Sequence, residues 1–325
     1  SSRVKFKGDY MSIDLLQMFE AQARFSDNFF DNKNLSQSER ERLTMVFAAS
    51  LQKEVGSLLD GVNFRQHRLI DKKPVLGTIL HEGVDAWRYI LAIMNLWDIT
   101  PEQFSEAFSD RDVFLRMRHE KESKPWDGRP VLIVDVDDVV TPFRDDCTKW
   151  VHERHPGVID PNDTSYYSIP HEFFDEYIDA RMLKCQGINT DYVNAINALH
   201  DMGVWIHLLT ARPKDNLTVK YDTYAWLNQS GLQFDRVSFS PEKYLWVAGT
   251  DYYKQNRVLA AVDDSPKHAV EYASHGLRCF VPGTPQNADI GLHANILRCD
   301  NSKMFLTCVK KLLRTFQQHH KLLNN

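Results

Sequence analysis

The sequence predicts an α/β domain built on a parallel sheet, preceded by a separate all-α domain. Beyond residue 130, three apolar runs each end abruptly in polar residues, a pattern typical of buried strands. Before residue 119, apolar residues recur at helical spacing over four long segments. The polar segment 119–130, which contains proline and glycine, separates the two patterns. We therefore expect an N-terminal domain of residues 1–122 and a C-terminal domain of residues 123–325.

The helical pattern of the N-terminal domain predicts four helices, over Ile13–Phe30, Ser38–Asp60, Val75–Asp98 and Pro101–Arg118. The fourth has a well-marked start. Thr100 and Gln103 have the spacing of a capping box, and Pro101 stands at the first helical position, where a missing N–H is tolerated.

The first apolar run of the C-terminal domain, Val131–Val134, leads directly into Asp135, Asp137 and Asp138. Carboxylates this close together repel one another strongly unless a cation lies among them. Hard cations such as Mg2+ take oxygen ligands and usually keep part of the substrate as a ligand. The cluster therefore suggests Mg2+ chemistry on a phosphate. The alternative is an acidic loop that caps a following helix.

Two further apolar runs end in polar residues, which are Thr210 and Arg212 after the first and Asp263 and Asp264 after the second. The carboxyl ends of parallel strands converge on one crevice, so these residues can meet Asp135 in space although they are distant in sequence. Arg212 suits bidentate contact with a phosphate, but it could equally pair with one of the acids.

In the order and type of these residues the chain resembles the haloacid-dehalogenase (HAD) superfamily of phosphohydrolases, over roughly residues 130–285. That resemblance implies an α/β Rossmann-like HAD core, with Asp135 as the nucleophile that forms an aspartyl-phosphate and Asp137 as general acid and base. It implies that Thr210 hydrogen-bonds the transferring phosphoryl group. It also implies a Mg2+ site, for which we expect the ligands Asp135, Asp137, Asp263 and Asp264.

Two lysines fit the remaining HAD motif. Lys254 precedes Asp263 on what reads as a short helix capped by Thr250, whereas Lys243 follows the strand-like segment Arg236–Phe239. We favour Lys254 as the catalytic lysine and expect Lys243 to contact the substrate. Either could instead be a solvated surface lysine.

An insertion rich in aromatic residues follows the first motif, and the resemblance implies that residues 143–200 form a small helical cap that selects the substrate. One of its aromatic rings could stack on a base and exclude water, or the rings could form the core of the cap itself. Arg144 is expected to contact the substrate from the cap side. The aromatic residues concerned are Trp150, Tyr166, Tyr167, Phe173, Phe174 and Tyr177.

The N-terminal domain resembles the all-α nucleotide pyrophosphatases, which are the MazG-like and dimeric dUTPase-like proteins, over residues 11–118. Their signature is Glu-x-x-Glu on one helix and Glu-x-x-Asp on the next, and a spacing of three places both acids of a pair on one helical face. The matching acids, with which two helices would hold Mg2+, are Glu54, Glu82 and Asp85. The segment Asn63–Arg65 between the two helices also carries the resemblance.

The N-terminal domain also departs from that signature. Ser57 stands where the second Glu is expected, and Leu115 stands where the distal motif has Asn. Losing a carboxylate weakens a divalent site. Three interpretations stay open: an active pyrophosphatase with an altered site, a degenerate nucleotide-binding domain, and a dimerisation scaffold.

Composition limits the partners. The chain has 39 basic and 44 acidic residues and a net charge of -5, which disfavours binding to long nucleic acids. It has no apolar stretch long enough for a membrane span. Five scattered cysteines without Cys-x-x-Cys spacing fit a reducing cytoplasm and no zinc site. The resemblance of the helical domain implies a homodimer.

Together these observations predict a Mg2+-dependent phosphatase for (deoxy)nucleoside 5'-monophosphates, fused to a nucleotide pyrophosphatase-like domain. Such a protein would convert a dNTP to a dNMP and then to a nucleoside, as in a phage or its host. One alternative is a polynucleotide end-phosphatase, because residues 261–279 resemble the phosphatase half of polynucleotide kinase-phosphatases. Another is a non-catalytic nucleotide sensor.

Overall fold

The computed structural model describes residues 13–31, 34–62, 73–158, 171–284, 287–290 and 293–323. The chain divides into two compact units, Ser1–Phe108 and Ser109–Asn325. This division differs from the predicted boundary at residue 122, and it falls inside a helix. The reason is that Phe114 and Met117, near the end of that helix, are buried in the core of the second unit.

The described residues of the first unit are helical. They contain α1 (Leu15–Ser26), α2 (Gln37–Leu58), α3 (Leu76–Leu96) and the start of α4 (Pro101–Met117), and no strand occurs among them. Asp14 and Ser36 begin α1 and α2 with capping boxes, in which each side chain and each backbone N–H finds a partner three residues away. The segment Asn63–Arg65 lies outside the described residues.

A six-stranded sheet forms the second unit, and all of its neighbouring strands pair in parallel. The strand order is β3-β2-β1-β4-β5-β6, which confirms the predicted α/β fold with a parallel sheet. The order reverses between β1 and β4, and ligands bind at such switch points. The strands are β1 (Val131–Val134), β2 (Trp205–Thr210), β3 (Arg236–Phe239), β4 (Val258–Val262), β5 (Cys279–Pro282) and β6 (Ile296–Cys299).

Helices cover both faces of the sheet, which is why every residue of β1 is buried and apolar. On one face Leu132 and Val134 belong to a core shared with α7 (Thr190–Asp201) and α12 (Ser302–Leu323). On the other face Val131 and Ile133 belong to a core shared with α9 (Lys243–Ala248) and α11 (Pro266–Ser274). Two further helices are α8 (Leu217–Gln229) and α10 (Asp251–Lys254).

The predicted cap, residues 143–200, extends further along the chain than the cap in the structure. Tyr192, Ile196 and Leu199 of α7 pack in the core of the sheet, so α7 belongs to the α/β layer. The described cap helices are α5 (Phe143–Arg154) and α6 (His171–Asp179), which share a small core of their own.

Ion pairs with Asp235 hold the polar segment before β1 against the sheet. Lys124 Nζ and Arg129 Nη2 each lie 2.7 Å from Asp235 Oδ1, and the backbone N–H of Ile206 also donates to Asp235, at 3.1 Å. Asp235 directly precedes β3, so these contacts hold the segment against one end of the sheet. No helix among the described residues combines the length and apolar character that crossing a membrane requires.

Candidate active site

Three charged side chains meet where β1, β3 and β4 end. Asp135 follows β1, Asp263 follows β4, and Lys243 opens α9 shortly after β3. Lys243 Nζ lies 2.7 Å from Asp135 Oδ1 and 2.7 Å from Asp263 Oδ2. All three residues are buried, so the attraction between them is only weakly screened by solvent.

Burial and mutual charge shift the titration of this group. Burial, with repulsion from Asp263 and Asp137, raises the pKa of Asp135 to about 7. Burial also raises the pKa of Asp263. For Lys243, burial opposes the charge, but the Asp135 and Asp263 carboxylates outweigh it and hold the lysine pKa above its usual range. Lys243 is therefore a permanent cation beside the Asp135 carboxyl group.

Of the two lysines, the structure brings Lys243 to the acids, whereas the sequence favoured Lys254. The short helix capped by Thr250 is present as α10, but Lys254 at its end is exposed. Lys243 occupies the site because α9 starts at the end of β3, on the side where β1 and β4 also end. The number of residues between each lysine and Asp263 did not indicate which of the two would reach the site.

Asp137 is paired with Arg212. Arg212 Nη2 lies 2.5 Å from Asp137 Oδ1, and its Nε lies 3.0 Å from Oδ2, which is a two-pronged contact. Other N–H groups of the guanidinium donate to Gln186 Oε1 at 2.5 Å and Thr223 Oγ1 at 2.9 Å. Of the two interpretations of Arg212, the structure therefore supports a partner for an acid. The fixed guanidinium orients Asp137, whose side chain is one-quarter exposed.

Asp138, which had no predicted role, is bound to Arg144. Its backbone is left-handed, with φ of 54°, and its carboxylate accepts from the Arg144 backbone N–H at 2.9 Å and from Nη2 at 3.0 Å. The same Nη2 donates to Asp264 Oδ2 at 3.1 Å. Arg144 thus joins the start of the cap to two of the acidic loops, at the edge of the cavity where substrate contact was predicted.

Thr210 is the last residue of β2 and is fully buried. Its Oγ1 accepts a hydrogen bond from the backbone N–H of Arg212 at 3.2 Å. The threonine hydroxyl keeps its own proton for a further hydrogen bond. Its place at the strand end beside β1 follows from the register, in which Val134 pairs with Leu208.

A cavity of about 860 Å³ opens beside these residues. Its polar end carries Asp135, Asp137 and Lys243, and an apolar wall lines another part of it. That wall includes Phe143 and Phe174, whose rings stack with centroids 6.3 Å apart at an angle of 13°. Further apolar residues of the lining are Ile178, Leu183, Pro213 and Val219.

The predicted aromatic residues divide between cap and cavity. Trp150 is buried in the small core of the cap, and Phe173 packs against the His155 ring. Tyr177 is buried in that core and Phe174 packs against it, and both also line the cavity. Tyr166 and Tyr167 lie outside the described residues.

Among the residues that the structure describes, two groups of carboxylates have the donors that a hard cation requires. In the second unit Asp135, Asp263 and Asp264 have oxygens within 4.8 Å of one another. Burial, with repulsion from Asp135 and Asp263, raises the pKa of Asp264 well above its usual value. Asp137, also a predicted ligand, lies outside this group and is paired with Arg212.

The second group lies in the first unit, where Glu54 on α2 faces Glu82 and Asp85 on α3, again within 4.8 Å. Partial burial and a hydrogen bond with Glu54 raise the pKa of Glu82. Ser57, at the position of the missing acid, donates its hydroxyl to the Lys53 carbonyl at 3.2 Å.

Comparison with known proteins gives little. No family model matches the sequence, and no match was found among curated proteins. Solved structures that match include a haloacid dehalogenase-like hydrolase from Burkholderia xenovorans LB400, with 13% identity and a TM-score of 0.38, covering 57% of this chain and 98% of that one. A TM-score this low adds nothing to the geometry of the site.

Gln186 and Asp138 contribute to the site without having been predicted to do so. Gln186 accepts a hydrogen bond from Arg212. The sequence around Gln186 has no recognisable motif, so nothing in it predicts this contact. Asp138 could have been assigned a partner, because Arg144 follows it at a spacing that a tight turn into a helix brings together.

Proposed function

We propose that the second unit is a phosphohydrolase of the HAD type, which acts through an aspartyl-phosphate on Asp135. One observation carries the proposal: the Lys243 ammonium lies between Asp135 and Asp263 at the polar end of a large cavity. Phosphoryl transfer needs positioning and charge neutralisation at the reacting group. The buried Asp135 and the fixed acid Asp137 follow β1, the buried cation Lys243 follows β3, and together they supply both.

In the proposed reaction an oxygen of Asp135 attacks phosphorus, and the bond from phosphorus to the leaving oxygen breaks. Asp137 gives a proton to that oxygen, so that the leaving group departs as a neutral alcohol. Asp137 then takes a proton from water as the water attacks the aspartyl-phosphate, which releases inorganic phosphate and restores Asp135. Arg212 supports this role by holding Asp137 in one orientation at the cavity edge.

Asp135, Asp263 and Asp264 would hold Mg2+, because they are carboxylates whose oxygens lie within 4.8 Å of one another. When bound, the ion supplies positive charge against the phosphoryl oxygens. Lys243 and the Thr210 hydroxyl would contribute donors to the same oxygens.

For the substrate we propose a (deoxy)nucleoside 5'-monophosphate. The cavity volume lies within the range of small-molecule sites, and its lining combines charged residues with an apolar wall that includes two stacked rings. A flat base could pack against Phe174 while the phosphate reaches Asp135.

For the first unit we propose a nucleotide pyrophosphatase-like, all-α domain that acts as a homodimer. Glu54, Glu82 and Asp85 support a divalent site between α2 and α3. The dimer is supported by exposed apolar side chains at a spacing of four along α3, which are Leu76, Leu80 and Val84.

Assays of the full chain with Mg2+ test both halves of the proposal. Phosphate release from nucleoside monophosphates and pyrophosphate release from triphosphates are measured separately. Asp135→Asn is expected to abolish the first and preserve the second, and Glu54→Gln the reverse. The exposed Asp127→Asn is the matched control.

Three outcomes would revise the proposal. Activity on p-nitrophenyl phosphate without activity on any nucleoside monophosphate would keep the phosphatase and remove the nucleotide. Activity on oligonucleotide ends that falls steeply with salt would favour the end-phosphatase. No phosphate release from any ester would refute the phosphatase itself.

A further inference from the structure

His268 is a buried polar residue that the proposed chemistry leaves unused. It is the third residue of α11 and lines the same cavity as Asp135 and Lys243. Only 7% of its surface is exposed. The helix begins two residues after Asp264, so its first turn faces the acidic end of the cavity.

The imidazole of His268 lacks a hydrogen bond that burial normally requires. Its Nδ1 is buried and has no hydrogen-bond partner in the part of the chain that the structure describes. The nearest carboxylate oxygen, Glu271 Oε2, lies 3.6 Å away, which is longer than a hydrogen bond. Buried polar groups are nearly always satisfied, so an exception beside a cavity needs an explanation, and a ligand bound in the cavity is one.

The surroundings indicate what kind of ligand this is. The neighbours of His268 in the cavity include Lys243 and Lys267, and the first turn of a helix presents backbone N–H groups that lack helical partners. Burial and the nearby Lys243 charge lower the pKa of His268, and Asp135 and Glu271 oppose that shift. The imidazole carries one N–H donor when it is neutral and two when it is charged. Donors on this side of the cavity match the oxygens of a phosphate group, which only accept.

We propose that His268 contacts the substrate phosphate by donating an imidazole N–H to one of its non-bridging oxygens. This inference rests on the proposed phosphatase function. It assigns to His268, at the start of α11, a further donor to the phosphate beside those that Lys243 and Thr210 would contribute.

Kinetics of the full chain with p-nitrophenyl phosphate test the proposal. His268→Ala is expected to lower kcat/KM by about 10-fold to 100-fold, the value of a hydrogen bond to a charged group. His268→Gln retains an N–H donor and should recover part of the loss. His275→Ala is the control, because His275 ends the same helix but is exposed and stacks on Tyr244. Equal thermal stability of the variants excludes misfolding.

A binding measurement gives a readout that does not depend on turnover. Inorganic phosphate is titrated into Asp135→Asn protein while the histidine ring signals are followed by NMR. The signal that disappears in His268→Ala should move with phosphate, and that of His275 should not. An unmoved His268 signal, or a kcat/KM for His268→Ala within two-fold of wild type, would overturn the proposal. If wild type hydrolyses no ester, the phosphatase has failed, and the titration alone decides on His268.

Discussion

Lys243 Nζ lies 2.7 Å from Asp135 Oδ1, although Asp135 follows β1, Lys243 begins α9, and the two are far apart in sequence. The contact neutralises part of the charge on a buried carboxyl group whose pKa is raised to about 7. Because the lysine also contacts Asp263, a single cation balances two acids. Activity and stability should therefore depend on the same side chain.

Replacing this lysine tests that dependence. Lys243→Met leaves two buried carboxyl groups without their cation, and we expect unfolding to become easier by about 3 kcal/mol. Phosphate release should fall at least about 100-fold, because a donor to the phosphoryl oxygens is lost. Urea unfolding and a phosphate assay measure the two effects. Lys254→Met, on the exposed end of α10, should change neither, and equal losses in both variants would contradict the assignment of Lys243.

Lys243 and Lys254 illustrate which parts of the fold and the site the sequence predicts and which it does not. Strands β1, β2 and β4 were predictable because both of their faces are covered, which requires continuous apolar runs. Strand β6 is the edge of the sheet and is only partly buried, so its apolar signal is weak. Motif order located the acids, but the position of the lysine depends on where a helix starts relative to a neighbouring strand.

Pairs between distant residues were the least predictable part of the site. Arg212 with Asp137, and Arg144 with Asp264, form only when separate loops meet at the end of the sheet. Either arginine could have bound a phosphate on its residue type alone. Whether each arginine pairs with an acid depends on its distance to a carboxylate in the folded chain. The sequence around the arginine does not indicate that distance.

The Arg212–Asp137 pair should affect proton transfer more than binding. Arg212→Lys keeps the charge but loses the two-pronged contact, so Asp137 is held less firmly. We expect kcat to fall about 10-fold or more with an alkyl phosphate, whose leaving group needs a proton, and less with p-nitrophenyl phosphate. Arg181→Lys, at an ion pair with Asp222, is the control. Equal losses for both esters would show that Arg212 does not act through the acid.

The exposed apolar stripe on α3 leads to a prediction about assembly. Leu80 is 62% exposed and lies between two other exposed apolar side chains, so Leu80→Glu should weaken a contact between two copies. Sedimentation should give about twice the chain mass for the wild type and the single mass for the variant. Leu217→Glu, at an equally exposed site on α8, should leave the mass unchanged. A monomeric wild type would exclude the homodimer.

Asp235 should make the second unit sensitive to acid. Although burial opposes its charge, hydrogen bonds from Lys124, Arg129 and the Ile206 N–H hold the pKa of Asp235 below its usual value. A carboxyl group with a lowered folded-state pKa contributes stability above its unfolded pKa of about 4, and that contribution is lost as the pH falls further. The contacts of the Asp235 carboxylate with Lys124 and Arg129 therefore stabilise the fold at pH 7 and cease to do so in acid.

Replacing Asp235 should reproduce that loss at neutral pH. We expect Asp235→Asn to reduce the free energy of unfolding by about 2 kcal/mol at pH 7, less than for a fully buried pair because Lys124 and Arg129 are partly exposed. The difference from wild type should narrow when urea unfolding is repeated at about pH 3.5. Asp127→Asn removes an exposed partner of the same Arg129 and should cost less than about 1 kcal/mol at either pH. A difference for Asp235→Asn that stays constant with pH would mean that its charge does not hold the segment before β1 to the sheet.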